Sequence, residues 1–344
     1  MSPSSPRPVL RVGIAGLGRL GRRHAENLAH RVRGVHLAWA CSAEESDHAY
    51  ARDELGVEHF TTDFEALVNA PDLDAIVLVT PTALHADQVI AVLETGKHVF
   101  VEKPLALDAA DCARVQAVGE QHPGQVAMVG FVRRFDASYR QAQASLAAGE
   151  LGRPFLVRSQ TCDRNDPSGF FVDYAPQSGG IFMDCSVHDI DLARWLLGNP
   201  RAVRAFASGT IALHPGLEAC GDVDNGLAIV EFEGGARAVF YASRTLAHGH
   251  ETQTEVIATA GKLVVGHGAA RDRVVTSDAQ GVRFQSTGDF FERFGDAFLA
   301  EMQHFALACS GREAPALTLA DATEATRIGQ AITRSLRSGL PEVI

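Results

Sequence analysis

The sequence predicts an α/β protein of two domains: a doubly wound parallel sheet over residues 1–130, then an α/β domain over 131–344 whose sheet is largely antiparallel. Three observations carry this expectation. A chain of 344 residues exceeds what one hydrophobic core usually serves. Through the first 130 residues, short apolar runs alternate with helix-length segments, the rhythm of parallel strands joined by right-handed crossovers. Beyond Gly130 the rhythm changes to closely spaced strand-like runs with helices before and after them.

In chain order, LRVGIAG reads as the first strand, followed by a helix from about Arg22. VHLAWAC is the second strand, and EESDHAYARDELG is an amphipathic helix stopped at Gly56. DFEALV (helix), DAIVLVT (strand), ALHADQVIAVLETG (helix), HVFVEK (strand), DAADCARVQAVGEQ (helix) and QVAMVGF (strand) complete the alternation. After it come two helical segments, ASYRQAQASLAAG and IFMDCSVHDIDLARWLL. PFLVRSQT, VRAFASGTIAL, GLAIVEFEGGARAVFYASR and TEVIATAGKLVVG supply the second sheet, with a hairpin about Gly234 and Gly235. DAFLAEMQHFALACSG and DATEATRIGQAITRSLRSG return the chain to helix.

A formal charge of −11 leaves no basic surplus to displace counterions from phosphates, so nucleic acid is not an expected partner. No apolar run is long enough to cross a bilayer, and the Pro/Ser-rich head MSPSSPRPVL, expected to be frayed, lacks the apolar core of a signal peptide. No membrane partner and a cytoplasmic location are therefore expected. The six cysteines contain no C-x-x-C pair, which argues against a metal knuckle or a disulfide framework and for small buried apolar groups.

GIAGLGRLGRRHAENL places Gly16, Gly18 and Gly21 as G-x-G-x-x-G between a strand and a helix. Glycines allow the tight turn and close approach of a pyrophosphate, and the helix start offers free N–H groups. At the first turn of a repeated strand–helix pattern the motif points to a dinucleotide, held by Gly16, Gly18, Arg19 and Leu20. The end of the second strand, where NAD-specific folds carry an acid, holds Cys41 and Ser42. The next arginine is Arg52, while Glu44 and Glu45 would repel a 2′-phosphate. NAD is the expected cofactor.

In a doubly wound sheet the carboxyl ends of strands line the ligand crevice. VTPTALH and VEKP therefore bring Thr80, Pro81, His85, Glu102 and Lys103 toward the nicotinamide end. Lys103 follows an apolar strand, which suits a cleft position; a solvated strand-end lysine is the alternative. GGIFMDCSVHDIDLARWLLG raises the sharper question, since Asp184, His188 and Asp191 interrupt an apolar helical pattern. Asp184 and His188, four apart, would share one helix face, either as a surface pair or as one wall of a reaction cleft.

GLGRLGRRHAENL, VEKPLA, VGFVRRFDASY and SGGIFMDCSVHDIDLARWLLG together resemble the glucose-fructose oxidoreductase / inositol dehydrogenase / MocA family, most of all its inositol 2-dehydrogenase branch. The likeness runs from about residue 10 to the end of the sequence. It implies a Rossmann domain, a second domain with an open sheet that often forms the oligomer interface, and a homotetramer or dimer. It implies catalytic roles for Lys103, Asp184 and His188, a cofactor- and substrate-side role for Arg133, and polyol contacts from the DRNDP loop, hence Asp163 and Asn165. Where inositol dehydrogenases often show Tyr-Gly-Tyr this chain has His248-Gly249-His250, and His250 joins the substrate set.

The chemistry that follows is oxidation of a secondary hydroxyl. Histidine titrates at about 6.5 when unperturbed, so His188 suits the base. Lys103 would stabilise the developing alkoxide, and Asp184 would orient the substrate or His188. The substrate class is a cyclic polyol, scyllo- or myo-inositol; an aldose with the same three residues is the alternative. A non-catalytic nucleotide sensor would not need all three. A metal centre on Asp184 and His188 lacks a third ligand at a recognisable spacing, so no metal is expected.

Overall fold

Val12 to Ala15 in β1 (Leu10–Ala15) are buried without interruption, as expected of a strand covered on both faces. The computed structural model describes residues 9–266, 268 and 270–344; of the head expected to be frayed, residues 1–8 lie outside the described residues. After β1 come α1 (Arg19–His30), β2 (Val35–Cys41), α2 (Asp47–Asp53), β3 (His59–Thr61), α3 (Phe64–Val68) and β4 (Ala75–Leu78). α4 (Thr82–Glu94), β5 (His98–Glu102), α5 (Ala109–Gln121) and β6 (Ala127–Gly130) follow. The six strands are all parallel, in the order β3-β2-β1-β4-β5-β6, so the winding reverses between β1 and β4. α3 and α5 are capped by Asp63 and Asp108, whose carboxylates accept the Glu65 and Ala110 N–H. Two details differ from the sequence expectation. α1 begins at Arg19 rather than about Arg22, and β3 is an unexpected strand of three residues, too short to show a period.

The second sheet uses β7 (Pro154–Arg164), β8 (Ala202–Thr210), β9 (Asn225–Phe232), β10 (Arg237–Leu246), β11 (Glu251–Ala258), β12 (Gly261–Val265) and β15 (Glu342–Val343). Before β7 lies α6 (Ala137–Ala147); between β7 and β8 lie α7 (Phe170–Ser178), α8 (Ile181–Asp184) and α9 (Val187–Leu196). β13 (Ala270–Asp278) and β14 (Gly281–Ser286) form a separate hairpin, followed by α10 (Phe290–Cys309) and α11 (Leu319–Ser338). Strand order is β12-β11-β7-β10-β9-β8-β15, antiparallel except for the β7–β10 pair. The hairpin about Gly234 and Gly235 joins β9 to β10. Alternation is clean along β9, with Ala228, Val230 and Phe232 inward and Leu227 and Ile229 outward. A side chain at Gly226 would come within 2.7 Å of the Phe182 ring, so glycine is what lets α8 lie on the strand. Among the described residues no helix is long and apolar enough to cross a membrane.

The chain divides into two compact units. One takes the chain up to Val132 and Asp296–Thr323; the other takes Arg133–Gly295 and Glu324–Ile344. Residues 296–323, which the sequence reading groups with the second domain, therefore pack with the first. Their apolar side supplies the reason: Phe298 meets His24 edge-on at 5.5 Å and Phe305 meets Phe100 at 5.8 Å.

That packing brings Glu301 to a buried polar pair. His24 Nε2–H donates to Glu102 Oε1 at 2.7 Å, and the other Glu102 oxygen accepts the Lys103 backbone N–H at 3.1 Å. Glu301 is fully buried, its ligand atom lies within 4.8 Å of those of His24 and Glu102, and neither of its oxygens has a hydrogen-bond partner. Two carboxyl groups so close in the interior do not both ionise. Burial first, then the Glu102 charge, pushes Glu301 well above the ordinary carboxylate range, so Glu301 stays protonated.

A raised folded-state pKa has a defined consequence for stability. The contribution of Glu301 is full below its ordinary value of 4.5 and is lost as the pH climbs toward the raised folded value, because only the unfolded chain releases the proton. Glu301→Gln keeps the shape without the ionisation. Its Tm relative to wild type is expected to rise steadily as the pH climbs above about 5 toward the raised folded value; parallel melting profiles over that climb would contradict a protonated Glu301.

Candidate active site

The turn after β1 is built from its three glycines in three different ways. Gly16 has φ +92°, and a side chain there would lie 2.4 Å from the Val79 carbonyl oxygen. A side chain at Gly21 would strike the Gly16 carbonyl at 2.0 Å, so the third glycine sets the approach of α1 to the strand. Gly18, the N-cap of α1, meets nothing within 4 Å and has no side-chain cap. Open space thus adjoins a helix start whose first N–H groups have no intrahelical partner. This is a fit for a pyrophosphate. Arg19 is exposed and Leu20 half-buried on that first turn.

Cys41 ends β2 with its thiol buried; burial, then Asp63, pushes its pKa up to about 11, so the thiol is neutral. Ser42 follows, buried, with its hydroxyl donating to Asp47 Oδ2 at 2.6 Å. Beyond β4, Thr80 is half-buried and Pro81 exposed. His85 lies within 2.9 Å of the Pro104 carbonyl through Nδ1 and within 2.8 Å of the Thr80 carbonyl through Nε2. The sequence reading aims His85 and Glu102 at the nicotinamide; both are instead turned inward. Glu102 satisfies the Lys103 N–H, and the His85 imidazole, with one N–H when neutral, donates to one of the two carbonyls it faces. Burial is the largest influence on His85 and lowers its pKa, against the pull of the two carbonyls. Lys103 is the first residue past β5, half-buried, with its N–H fixed by Glu102.

In the second unit, the segment read as one helix is two. α8 ends at Asp184 and α9 starts at Val187; Cys185 and Ser186 keep helical dihedrals, but Ser186 flattens to ψ −8° and its N–H reaches back to Ile181. His188 is the second residue of α9 and is half-buried. Asp184 Oδ2 accepts from Arg244 Nη2 at 3.1 Å, and Arg244 Nη1 donates to Asp222 at 3.1 Å. Asp222 in turn accepts the Ile181 N–H at 3.0 Å, which pins the start of α8. Arg244 is fully buried, whereas the Asp184 side chain keeps 23% exposure and so remains open to a ligand. Burial works against the Arg244 charge, but Cys185, Asp184 and Asp222 raise its pKa further.

Asp163 belongs to the same cluster. His250 Nδ1–H donates to it at 2.9 Å and the Cys185 thiol at 3.7 Å. Burial alone would raise the Asp163 pKa; His250 and Arg244 together hold it below the usual value, so it is a carboxylate. Asp163, Asp184 and His250 thus come together through Cys185 and Arg244. Asn165 lies apart, accepting from His214 Nε2–H at 2.9 Å.

Arg133, read from the sequence as facing cofactor and substrate, is buried inside the second unit. Its guanidinium donates to Asp189 at 2.9 Å and to the Thr161 hydroxyl at 2.7 Å; burial pushes the Asp189 carboxyl above the usual carboxylate range, and Arg133 with the Ser159 and Thr161 hydroxyls pulls against it. Asp191 is gripped by Arg134 through two bonds of 2.8 and 2.6 Å. The partners missed in the sequence are Asp189, Asp222 and Arg244. For Arg244 a signal exists: it follows Ala238, Phe240 and Ala242 at alternate, inward positions of β10.

Two groups among the described residues have metal-compatible proximity. The first, His24, Glu102 and Glu301, contains the 2.7 Å hydrogen bond between His24 and Glu102. In the second, Glu58 and Asp72 already bind Arg11.

Known proteins are similar to this chain over both units. Residues 10–131 match the oxidoreductase family with an NAD-binding Rossmann fold, and residues 139–264 match the GFO/IDH/MocA C-terminal domain. The chain is 38% identical over 332 residues to scyllo-inositol 2-dehydrogenase (NAD(+)) of Bacillus subtilis (strain 168), covering 96% of this chain and 95% of that one. It is 33% identical to myo-inositol 2-dehydrogenase of Thermotoga maritima, covering 95% and 96%. A solved scyllo-inositol dehydrogenase from Lactobacillus casei, with bound cofactor NAD(H) and scyllo-inositol, superposes with a TM-score of 0.93 at 34% identity, covering 97% of this chain and 99% of that one. With its phosphate loop, parallel sheet and second-unit sheet all matched, the chain belongs to the GFO/IDH/MocA family of oxidoreductases and carries that family's NAD-binding Rossmann domain.

Proposed function

We propose that this protein oxidises one ring hydroxyl of a cyclic polyol, scyllo- or myo-inositol, to the ketone, with NAD reduced to NADH and one proton released. The observation that carries the reading is that the similarity to inositol dehydrogenases spans both units, the second as well as the cofactor-binding first. NAD, when bound, accepts the hydride. Gly16, Gly18 and the first turn of α1, including Arg19 and Leu20, hold its pyrophosphate. Lys103, set at the end of β5, donates a hydrogen bond to the reacting oxygen and stabilises its developing negative charge. His188 takes the hydroxyl proton, and Asp184, held by Arg244, orients the substrate or His188. The Asp163 carboxylate and the His250 imidazole supply hydrogen-bonding groups for a polyol. The six free thiols fit a reducing cytoplasm as the place of action.

The working form is a homo-oligomer, a dimer or tetramer. Phe206, Leu227 and Ile229 lie on neighbouring strands of the outer sheet face with exposures of 42%, 55% and 47%, and Phe206 pairs directly with Ile229. An apolar patch of this kind calls for a partner, and a second copy presents the same surface.

Two sets of measurements check these readings. With NAD and a panel of inositols and aldoses, NADH absorbance is expected to rise with scyllo- or myo-inositol. Lys103→Ala and His188→Ala should each lower kcat by about a hundredfold or more while NADH binding persists. Turnover confined to aldoses would replace the substrate, and near wild-type turnover in His188→Ala would remove the base. Light scattering on a sizing column should show a dimer or tetramer that Leu227→Glu/Ile229→Glu reduces in mass; an unchanged mass would place the interface elsewhere.

A further inference from the structure

The adenosine-side corner of the first unit holds an ion pair that the strand-end pattern does not foretell. Arg22 stands one turn into α1. Its Nε–H donates to the carbonyl of Leu17, inside the glycine turn, at 3.2 Å, and its Nη2 donates to Asp47 Oδ1 at 2.8 Å. The guanidinium lies 4.2 Å from the centre of the Tyr50 ring. Asp47 opens α2, and its second oxygen accepts from Ser42, the residue that follows β2, at 2.6 Å. The Asp47 side chain is 11% exposed and that of Arg22 47%, so the cation is the accessible member.

Dinucleotide-binding folds read the ribose 2′ position at this place, with a carboxylate for a hydroxyl and an arginine for a phosphate. Here the end of β2 offers only Cys41 and Ser42. Resting on the reading that this unit binds NAD, we propose that Asp47, five residues beyond Ser42, is the specificity-determining carboxylate, and that it acts by holding Arg22 and Ser42 away from a 2′-phosphate. A 2′-phosphate carries up to two negative charges and would have to draw Arg22 and Ser42 away from the Asp47 carboxylate that already holds both, against the repulsion of that charge. Without the Asp47 charge, the same corner is an arginine, a serine hydroxyl and a helix start. That donor set fits a phosphate.

In calorimetric titrations without polyol, wild type is expected to bind adenosine 5′-diphosphate more tightly than adenosine 2′,5′-bisphosphate. Asp47→Asn should shift the ratio of the two affinities by about tenfold or more toward the 2′-phosphate, the effect of one released charge-assisted contact. Arg22→Gln placed in Asp47→Asn should cancel that gain. The ratio of kcat/KM for NADP against NAD should move with the binding ratio in all three proteins. Arg22→Gln alone should keep the preference for the unphosphorylated ligand, which tests the idea even if Asp47→Asn folds poorly. An unchanged ratio in a folded Asp47→Asn, or a gain that survives loss of Arg22, would overturn the proposal. Failure of wild type to bind adenosine 5′-diphosphate or NADH at all would overturn the dinucleotide reading and the proposal together.

Discussion

An aspartate carried into an apolar interior must meet a cation, and the α8–α9 segment carries three. Arg244 meets Asp184, Arg133 meets Asp189 and Arg134 meets Asp191. Removing one member of such a buried pair typically costs about 3–5 kcal/mol, because the other charge is left uncompensated. These pairs therefore fix how the segment lies against the second sheet: Arg133 and Arg134 precede α6, and Arg244 comes from β10. Of the three acids only Asp184 retains exposure, so the same constraint that seats the helices leaves one carboxylate available.

The first unit solves a related problem with protons rather than arginines. Glu102 is charged and bonded on both oxygens, to His24 and to the Lys103 amide. Glu301 beside it is kept neutral by burial and by that charge. The carboxylate that anchors the lysine loop thus has an uncharged neighbour. His85 packs between the loops after β4 and β5, with a carbonyl of each within hydrogen-bond distance of its ring and one N–H to give. The lysine at the end of β5 is consequently set by backbone hydrogen bonds from buried groups, a more rigid support than a surface loop provides.

Local signals in the sequence carried much of this. Gly16, Gly18 and Gly21 announce their roles by spacing together with their place in the first strand–helix turn, and the structure gives Gly16 and Gly21 a steric reason while Gly18 borders open space. The strand–helix alternation to Gly130 and the hairpin about Gly234 and Gly235 were legible from period and turn chemistry. What was not legible depends on pairing across distance. Nothing local tells that β7 and β10 run parallel, that Arg244 reaches Asp184 sixty residues back, or that 296–323 pack with the first unit. Arg133 illustrates the limit most clearly. Its motif marks it as important, yet only the fold shows that its guanidinium is bonded to Asp189 and Thr161.

The function proposed for this chain requires that a hydride pass from one ring carbon of an inositol to NAD. Wild-type protein turned over with NAD and scyllo- or myo-inositol deuterated at the ring carbons, with the NADH analysed by mass spectrometry, tests it directly. One deuterium is expected in the reduced nicotinamide for each ketone formed. Reduced cofactor without deuterium, or ketone formed without reduced cofactor, would contradict it.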